Sequence, residues 1–228
     1  MKALVVGATG QTGYRIVKQL VEKGIPVRAV VRDLAKAKEL LPTEVEVVTG
    51  DVLEPSTIRA AMAPGGRSST ISDCTVLMCA TGAQPSLDVT GPYKVDYEGT
   101  KNLVDVAKEA GIERFIIVSS LCVSKFFHPL NLFWLVLYWK KQAEDYLQSS
   151  GLNYTIVRPG GLRSEDSGDP IVMAPADTLF EGSIPREKVA QVCVAALSQP
   201  EANNKIVEIV TRENAKAQEM QALFASVG

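Results

Sequence analysis

Three glycines at fixed spacing, Gly7, Gly10 and Gly13, stand in the run GATGQTG, directly after the apolar run LVV and directly before a stretch of helical periodicity. Glycine at these offsets suits a strand-to-helix turn that comes close to a phosphate. Gly7 permits the tight turn, Gly10 lets the backbone approach a pyrophosphate, and Gly13 lets the helix lie near the strand, while the free N–H groups of the helix start meet the phosphate charge. Thr9, Gln11 and Thr12 line the same turn. Three glycines exceed what a bare turn needs, so a dinucleotide is the expected ligand.

The second strand should end in Val30, Val31 and Arg32. A carboxylate at this place takes a ribose 2′-OH, whereas an arginine suits a 2′-phosphate through bidentate, charge-assisted hydrogen bonds. Arg32, with Lys36 and Lys38 nearby, therefore favours NADP(H) over NAD(H). Asp33, one residue later, keeps the 2′-OH alternative open, as does a merely solvated Arg32. Asp51 and Val52, after the third strand, are placed to flank the adenine, and Ala80, Thr81 and Gly82, after the fourth, to flank the ribose. A bland reading as loop chemistry stands beside each. The lone histidine, His128, precedes a proline and has no partnered carboxylate, which makes it structural rather than catalytic. Cys74, Cys79, Cys122 and Cys193 show no metal spacing, so no metal is expected, and reduced thiols fit a cytoplasm-like compartment.

These residues need a scaffold, and the order of patterns supplies one. Short β-branched runs at 3–6, 27–31 and 45–48 alternate with helical patterns at 13–23 and 34–41. The alternation resumes with a strand at 75–80, a helix at 94–110 closed by Gly111, a strand at 114–119, a helix at 132–150 closed by Gly151, and a strand at 154–158. A helix at 186–198, a strand at 206–210 and a polar C-terminal helix follow. Such a chain is α/β, a Rossmann-like doubly wound parallel sheet with helices on both faces. Residues 161–185, rich in Gly, Pro, Asp and Ser, lack periodicity and follow a strand's carboxyl end, where open α/β sheets place ligands. They are expected to form a small substrate lid on one domain spanning 1–228.

Lys plus Arg number 24 and Asp plus Glu 26, a formal net charge of −2, which gives no electrostatic reason to approach nucleic acid or anionic lipid. A small molecule is the expected partner. The most apolar run, residues 130–139, is about half the length that spans a bilayer and is read as the start of a buried helix. The first strand opens the chain, with no leader pattern before it; a cytoplasmic location follows, or the plastid stroma if a transit peptide has been removed.

In GATGQTG, VVRD, TGDV, FIIVSS and WKKQAEDYLQSSGLNYTIVRPGGL, the chain resembles an atypical short-chain dehydrogenase/reductase of the NAD(P)-binding, NmrA-like kind. Residues 130–180 and KIVEIV most resemble the NADP(H)-binding dehydrogenase-like domain of the chloroplast inner-envelope translocon subunit. GATGQTG and VVRDLAK are also similar to flavin/biliverdin reductases. In active relatives a Ser polarises the substrate carbonyl, a Tyr gives the proton and a Lys four residues later holds the nicotinamide ribose. The resemblance assigns Ser120 to the Ser and Lys140, four residues before Glu144, to the Lys. Val136 then stands where the Tyr belongs, and an aliphatic side chain transfers no proton. Tyr138 lies on another helix face from Lys140. Pro159 and Gly160 are implied to pass close to the nicotinamide carboxamide. Two outputs follow: an NADPH-dependent oxidoreductase acting on a flavin, quinone or tetrapyrrole, which can take its proton from solvent, or a non-catalytic NADP(H)-sensing protein with a redox protein partner.

Overall fold

A computed structural model describes residues 1–63, 72–83 and 88–228. The alternation read from the sequence folds as an eight-stranded sheet. Strands β1 (Ala3–Val6), β2 (Val27–Val31), β3 (Glu46–Thr49), β4 (Val76–Cys79), β5 (Arg114–Val118) and β6 (Tyr154–Pro159) are parallel and lie in the order β3-β2-β1-β4-β5-β6. Alternate side chains of β1 divide the core. Ala3 and Val5 pack with helices α1 (Gln11–Glu22) and α6 (Arg186–Ala195) on one face. Leu4 and Val6 pack with α3 (Pro55–Met62), α4 (Gly99–Glu109) and α5 (Val136–Ser149) on the other. Helix α2 (Leu34–Leu40) buries Ala37 on the α1 face, and the short α7 (Met220–Ala225) buries Leu223 and Phe224 there. The strand order reverses at β1 and β4, and open sheets bind ligands outside the carboxyl ends at such a point.

The segment after β6 is more ordered than its composition suggests. β7 (Gly161–Arg163) and β9 (Ser183–Pro185) form a two-stranded parallel sheet. β8 (Ile171–Pro175) joins the main sheet antiparallel to β10 (Lys205–Thr211), which itself pairs with β6. The sheet is therefore mostly parallel, with one antiparallel edge strand. A Pro- and Gly-rich run of this length hid three short strands from a periodicity reading.

The expectation of a buried helix from residue 132 is overturned. Pro129–Leu132 make one 3₁₀ turn, and α5 begins only at Val136. Trp134 (φ 57°) and Leu135 (φ 59°) occupy the left-handed region, which bulky residues rarely adopt and which cannot continue a right-handed helix. The cause of the late start is Asn131. Its side-chain oxygen accepts from the N–H groups of Leu137 (2.9 Å) and Tyr138 (3.2 Å), so a buried amide upstream of the helix satisfies the first turn of α5. The loop folds back to deliver it and turns its apolar residues outward: Phe127 is 96% exposed and Leu132 83%. His128 caps this turn, its Nδ1 accepting from Leu130 N–H at 3.2 Å. Leu132→Ser is accordingly expected to shift Tm by no more than about 2 °C, while Asn131→Ala should cost on the order of 1 kcal/mol or more, as a lost cap does. Thermal unfolding of both variants checks this; a large loss for Leu132→Ser contradicts the exposed loop.

At the opposite end of the sheet Arg28 on β2, 1% exposed, bonds the carbonyls of Ala61 (3.0 Å) and Ala63 (3.1 Å) at the end of α3 and pairs with Asp73 (2.6 Å) and Glu46 (2.9 Å). Burial raises the carboxyl pKa of Glu46 and Asp73, but hydrogen bonds from Arg28 and Lys2 outweigh it and hold both below the usual range. A depressed carboxylate stabilises the fold above its unfolded pKa of about 4 and loses that contribution as pH falls through its folded value. Stability is therefore expected to drop below about pH 4, with a flatter acid limb in Arg28→Met. Denaturant midpoints between neutral and acid pH test the difference in slope. All four cysteines are buried and free, in line with the sequence.

Candidate functional site

The glycine turn forms at the carboxyl end of β1 as its spacing requires. Gly7 has φ +83°, and a Cβ there would stand 2.6 Å from the carbonyl oxygen of Ala80; a Cβ on Gly13 would stand 2.1 Å from the carbonyl of Gly7. Both glycines are fixed by backbone crowding. Gly10 differs: an added Cβ meets only the Gly7 carbonyl, at 3.2 Å, and the residue is exposed. Gly10 precedes the first residue of α1, and no side chain caps that helix. The N–H groups of Gln11, Thr12 and Gly13 thus begin a helix whose positive end is uncapped, beside Thr9 and Ala80–Gly82. An uncapped glycine-lined helix start fits a pyrophosphate.

Arg32 is exposed and has no hydrogen bond or ion pair among the described residues. Asp33, the competitor for a ribose hydroxyl, caps α2, accepting from Lys36 N–H at 3.1 Å. Asp51 uses one oxygen on Leu53 N–H (3.0 Å), which leaves the other for a ligand. Val52 also serves the scaffold. Its side chain fills the space above Gly99, and its carbonyl accepts from Asn102 at 2.9 Å, which pins the start of α4. Thr81 Oγ1 sits 3.2 Å from Cys79 Sγ.

On the other side of the crevice, Lys140 on α5 reaches Asp96 at 2.7 Å. Asp96 lies in a single π-helical turn, Tyr93–Glu98, ahead of α4, and its second oxygen accepts from Ala83 N–H at 3.3 Å. Burial works against the Lys140 charge, yet Asp96 more than compensates and holds the ammonium above its usual pKa. On the same two elements, Tyr93, Tyr97 and Trp139 are half-buried and stack on one another, with ring centroids 4.8–6.0 Å apart.

Val136 is indeed apolar in surroundings as well as type. It packs with Leu121, Cys122, Val123, Leu137 and Val210, joined by Leu179. Tyr138 turns instead to Phe126 and Trp139, at 5.9 and 5.0 Å between centroids. Ser120 is half-buried, and its hydroxyl has no hydrogen bond among the described residues. Its neighbour Ser119, which the sequence did not single out, donates to the buried Glu144 at 2.5 Å. Arg158, buried on β6, binds Glu144 (2.6 Å), Glu208 (3.3 Å) and Asp177 (2.9 Å). Burial pushes the Glu144 carboxyl up, against the pull of Arg158. Glu208 also accepts from the N–H groups of Asp177, Thr178 and Leu179 at 2.7–3.0 Å, so this network ties α5 to the segment after β8. Pro159 and Gly160 are largely committed: the Pro159 carbonyl accepts from Leu121, Gly160 N–H donates to Ile209, and a Cβ on Gly160 would strike the Gly182 carbonyl at 2.6 Å. No group of acidic, His or Cys residues among the described residues is arranged to hold a metal, and no described helix is long and apolar enough to cross a membrane.

A glycine turn at the switch point of a 3-2-1-4-5-6 sheet, with an unpaired arginine after β2, defines a dinucleotide-binding Rossmann-like domain. The chain belongs to the NAD(P)H-binding family, whose pattern covers residues 7–200. It is 45% identical to an uncharacterised chloroplastic protein of Arabidopsis thaliana, over 99% of this chain and 82% of that one. It is 37% identical to Protein TIC 62 of Arabidopsis thaliana over 98% of its length, but spans only 38% of that longer protein. Sanguinarine reductase of Eschscholzia californica is 30% identical, with 100% and 96% coverage. Among solved structures, a Bacillus halodurans protein described as an NAD-dependent epimerase/dehydratase superposes with a TM-score of 0.84 at 27% identity, covering 99% of each chain. The anaerobillin reductase ChuY of Escherichia coli O157:H7 superposes with a TM-score of 0.75 at 26% identity, covering 95% of this chain and 100% of that one. The chain is thus an atypical short-chain dehydrogenase/reductase-like protein that binds NAD(P)H.

Proposed function

We propose that this protein is an NADPH-dependent reductase that passes hydride to a planar conjugated acceptor, of the flavin, quinone or tetrapyrrole class, without giving it a proton. The observation that carries this reading is Val136, which replaces the acid four residues before Lys140 and packs into an apolar cluster. NADPH, when bound, supplies the hydride. The glycine turn holds its pyrophosphate, Lys140 its nicotinamide ribose, and the apolar cluster keeps water from that side. Ser120 is the one free hydroxyl of the expected set. Tyr93, Tyr97 and Trp139 are residue types that stack on a planar ring. A relative and a structural neighbour carry reductase names, sanguinarine reductase and the anaerobillin reductase ChuY, which supports the oxidoreductase reading, and the chloroplastic relatives support a plastid stroma over a cytoplasmic setting. Residues 161–185, within which Asp177, Thr178 and Leu179 are tied down by Glu208, serve as the substrate lid in this reading. Steady-state NADPH oxidation against a panel of flavins, quinones and tetrapyrroles tests the proposal; turnover with one acceptor class supports it. Tight NADPH binding with no turnover favours the second reading, a redox-sensing binding protein, for which the exposed apolar segment around Phe127 and Leu132 is the specific support.

The cofactor preference follows from Arg32. With Asp33 occupied as a helix cap and Arg32 unpaired, NADP(H) should bind about tenfold or more tightly than NAD(H), since a charged hydrogen bond is worth roughly 1.5–3 kcal/mol. Calorimetry with both cofactors, repeated on Arg32→Ala, measures it; equal affinities in the native protein overturn the assignment.

A further inference from the structure

We propose that Asp96 is a positioning residue for the nicotinamide half of the cofactor, holding the Lys140 ammonium at the crevice in place of the absent tyrosine. This rests on the reading that Lys140 serves the nicotinamide ribose. The geometry is specific. The Asp96 side chain is 1% exposed and bonds Lys140 at 2.7 Å, while Lys140 itself is 17% exposed. An ammonium has three N–H donors, and Asp96 takes one, leaving two for ribose hydroxyls. The other Asp96 oxygen binds Ala83 N–H at 3.3 Å, and a Cβ on Gly82 would lie 3.9 Å from Oδ1. The carboxylate therefore rests on the backbone after β4, the same backbone whose Ala80 and Thr81 atoms press on Gly7 of the phosphate turn.

A buried ion pair adds little net stability over well-packed apolar groups, so stability does not explain the pair. Its place does. Lysine carries four rotatable bonds and loses much rotamer freedom when fixed. Val136, one helical turn before Lys140, is aliphatic and offers the ammonium no polar contact. Asp96 supplies a polar constraint from the turn ahead of α4, and its carboxylate is the charge in direct contact with the ammonium.

The experiment compares affinities for NADPH and for adenosine 2′,5′-bisphosphate, which lacks the nicotinamide half, in the full chain. Asp96→Asn should weaken NADPH about tenfold or more and leave the bisphosphate within about twofold of native. Lys140→Met should show the same selective loss, and the double variant little more than either alone. Asp96→Glu keeps the charge but moves the ammonium by one methylene, so it should fold and still lose NADPH affinity selectively, which covers the case of an unfolded Asn variant. Equal losses for both ligands mean that Asp96 only shapes the backbone after β4, and overturn the proposal. Native NADPH affinity in Asp96→Asn or in Asp96→Glu, with a loss in Lys140→Met, also overturns it. Native affinity in Lys140→Met removes the ribose reading of Lys140 itself.

Discussion

Gly10→Val is expected to abolish NADPH binding while leaving the protein folded. The three glycines of the turn are not equivalent. Gly7 needs φ +83° and touches the Ala80 carbonyl, and Gly13 lies so close to the Gly7 carbonyl that any side chain forces the turn apart. Gly10 has φ −76°, accessible to any residue, and open space around its Cβ position apart from the Gly7 carbonyl at 3.2 Å. A valine there costs little in the apo fold but stands over the uncapped start of α1, where phosphate oxygens must reach the N–H groups. Loss of two charge-assisted hydrogen bonds amounts to about 3–6 kcal/mol, or roughly 10²–10⁴ in affinity. Circular dichroism and thermal unfolding establish the fold, and calorimetry measures binding. Native affinity in a folded Gly10→Val protein would place the phosphate site elsewhere.

That turn was legible because every determinant of it is local. Strand, glycines and helix start follow one another without a break, and period and spacing agree. The remainder of the site follows a different logic. Asp96 meets Lys140 across 44 residues, and Arg158 meets Glu208 across 50. A lone polar or charged residue in a helix or at a strand end reads as solvated until the fold brings its partner, so Asp96 and Ser119 carried no sequence signal. One hint was present: Arg158 and Glu208 interrupt otherwise apolar strands, YTIVRP and KIVEIVT. Strands buried on both faces are near-continuously apolar, and a charge within one calls for a buried counter-charge. The 130–139 run misled in the opposite direction. Hydrophobicity was read as burial, whereas Asn131 within that run sets where α5 begins and leaves Leu132 and Phe133 outside.

The protein is expected to show negligible reduction of ordinary alcohol-forming substrates, aldehydes and ketones, even at saturating NADPH. A simple carbonyl accepting hydride becomes an alkoxide, and its stabilisation requires a proton donor placed at the oxygen. Such general acid catalysis is typically worth roughly 10²–10⁴ in rate. The only groups of the usual set here are Ser120, which donates a hydrogen bond but is too weak an acid to give up its proton, and Lys140, whose ammonium is tied to Asp96. Val136 packs against the apolar cluster of Leu121, Cys122, Val123, Leu137 and Val210. Val136→Tyr puts a phenol one helical turn before Lys140 in a half-buried position, and should raise carbonyl reduction detectably, with a pH dependence that reports the new acid. The gain will stay below the full factor, because the Asp96 carboxylate offsets the Lys140 charge that would otherwise favour the ionised phenol; adding Asp96→Asn to Val136→Tyr should then lower the pKa that governs the rate. A native protein turning over simple ketones at an ordinary rate of about 10 s⁻¹ would show that the register is wrong. Tyr138, now stacked against Phe126 and Trp139, would then have to supply the proton after a rearrangement of the exposed loop before α5.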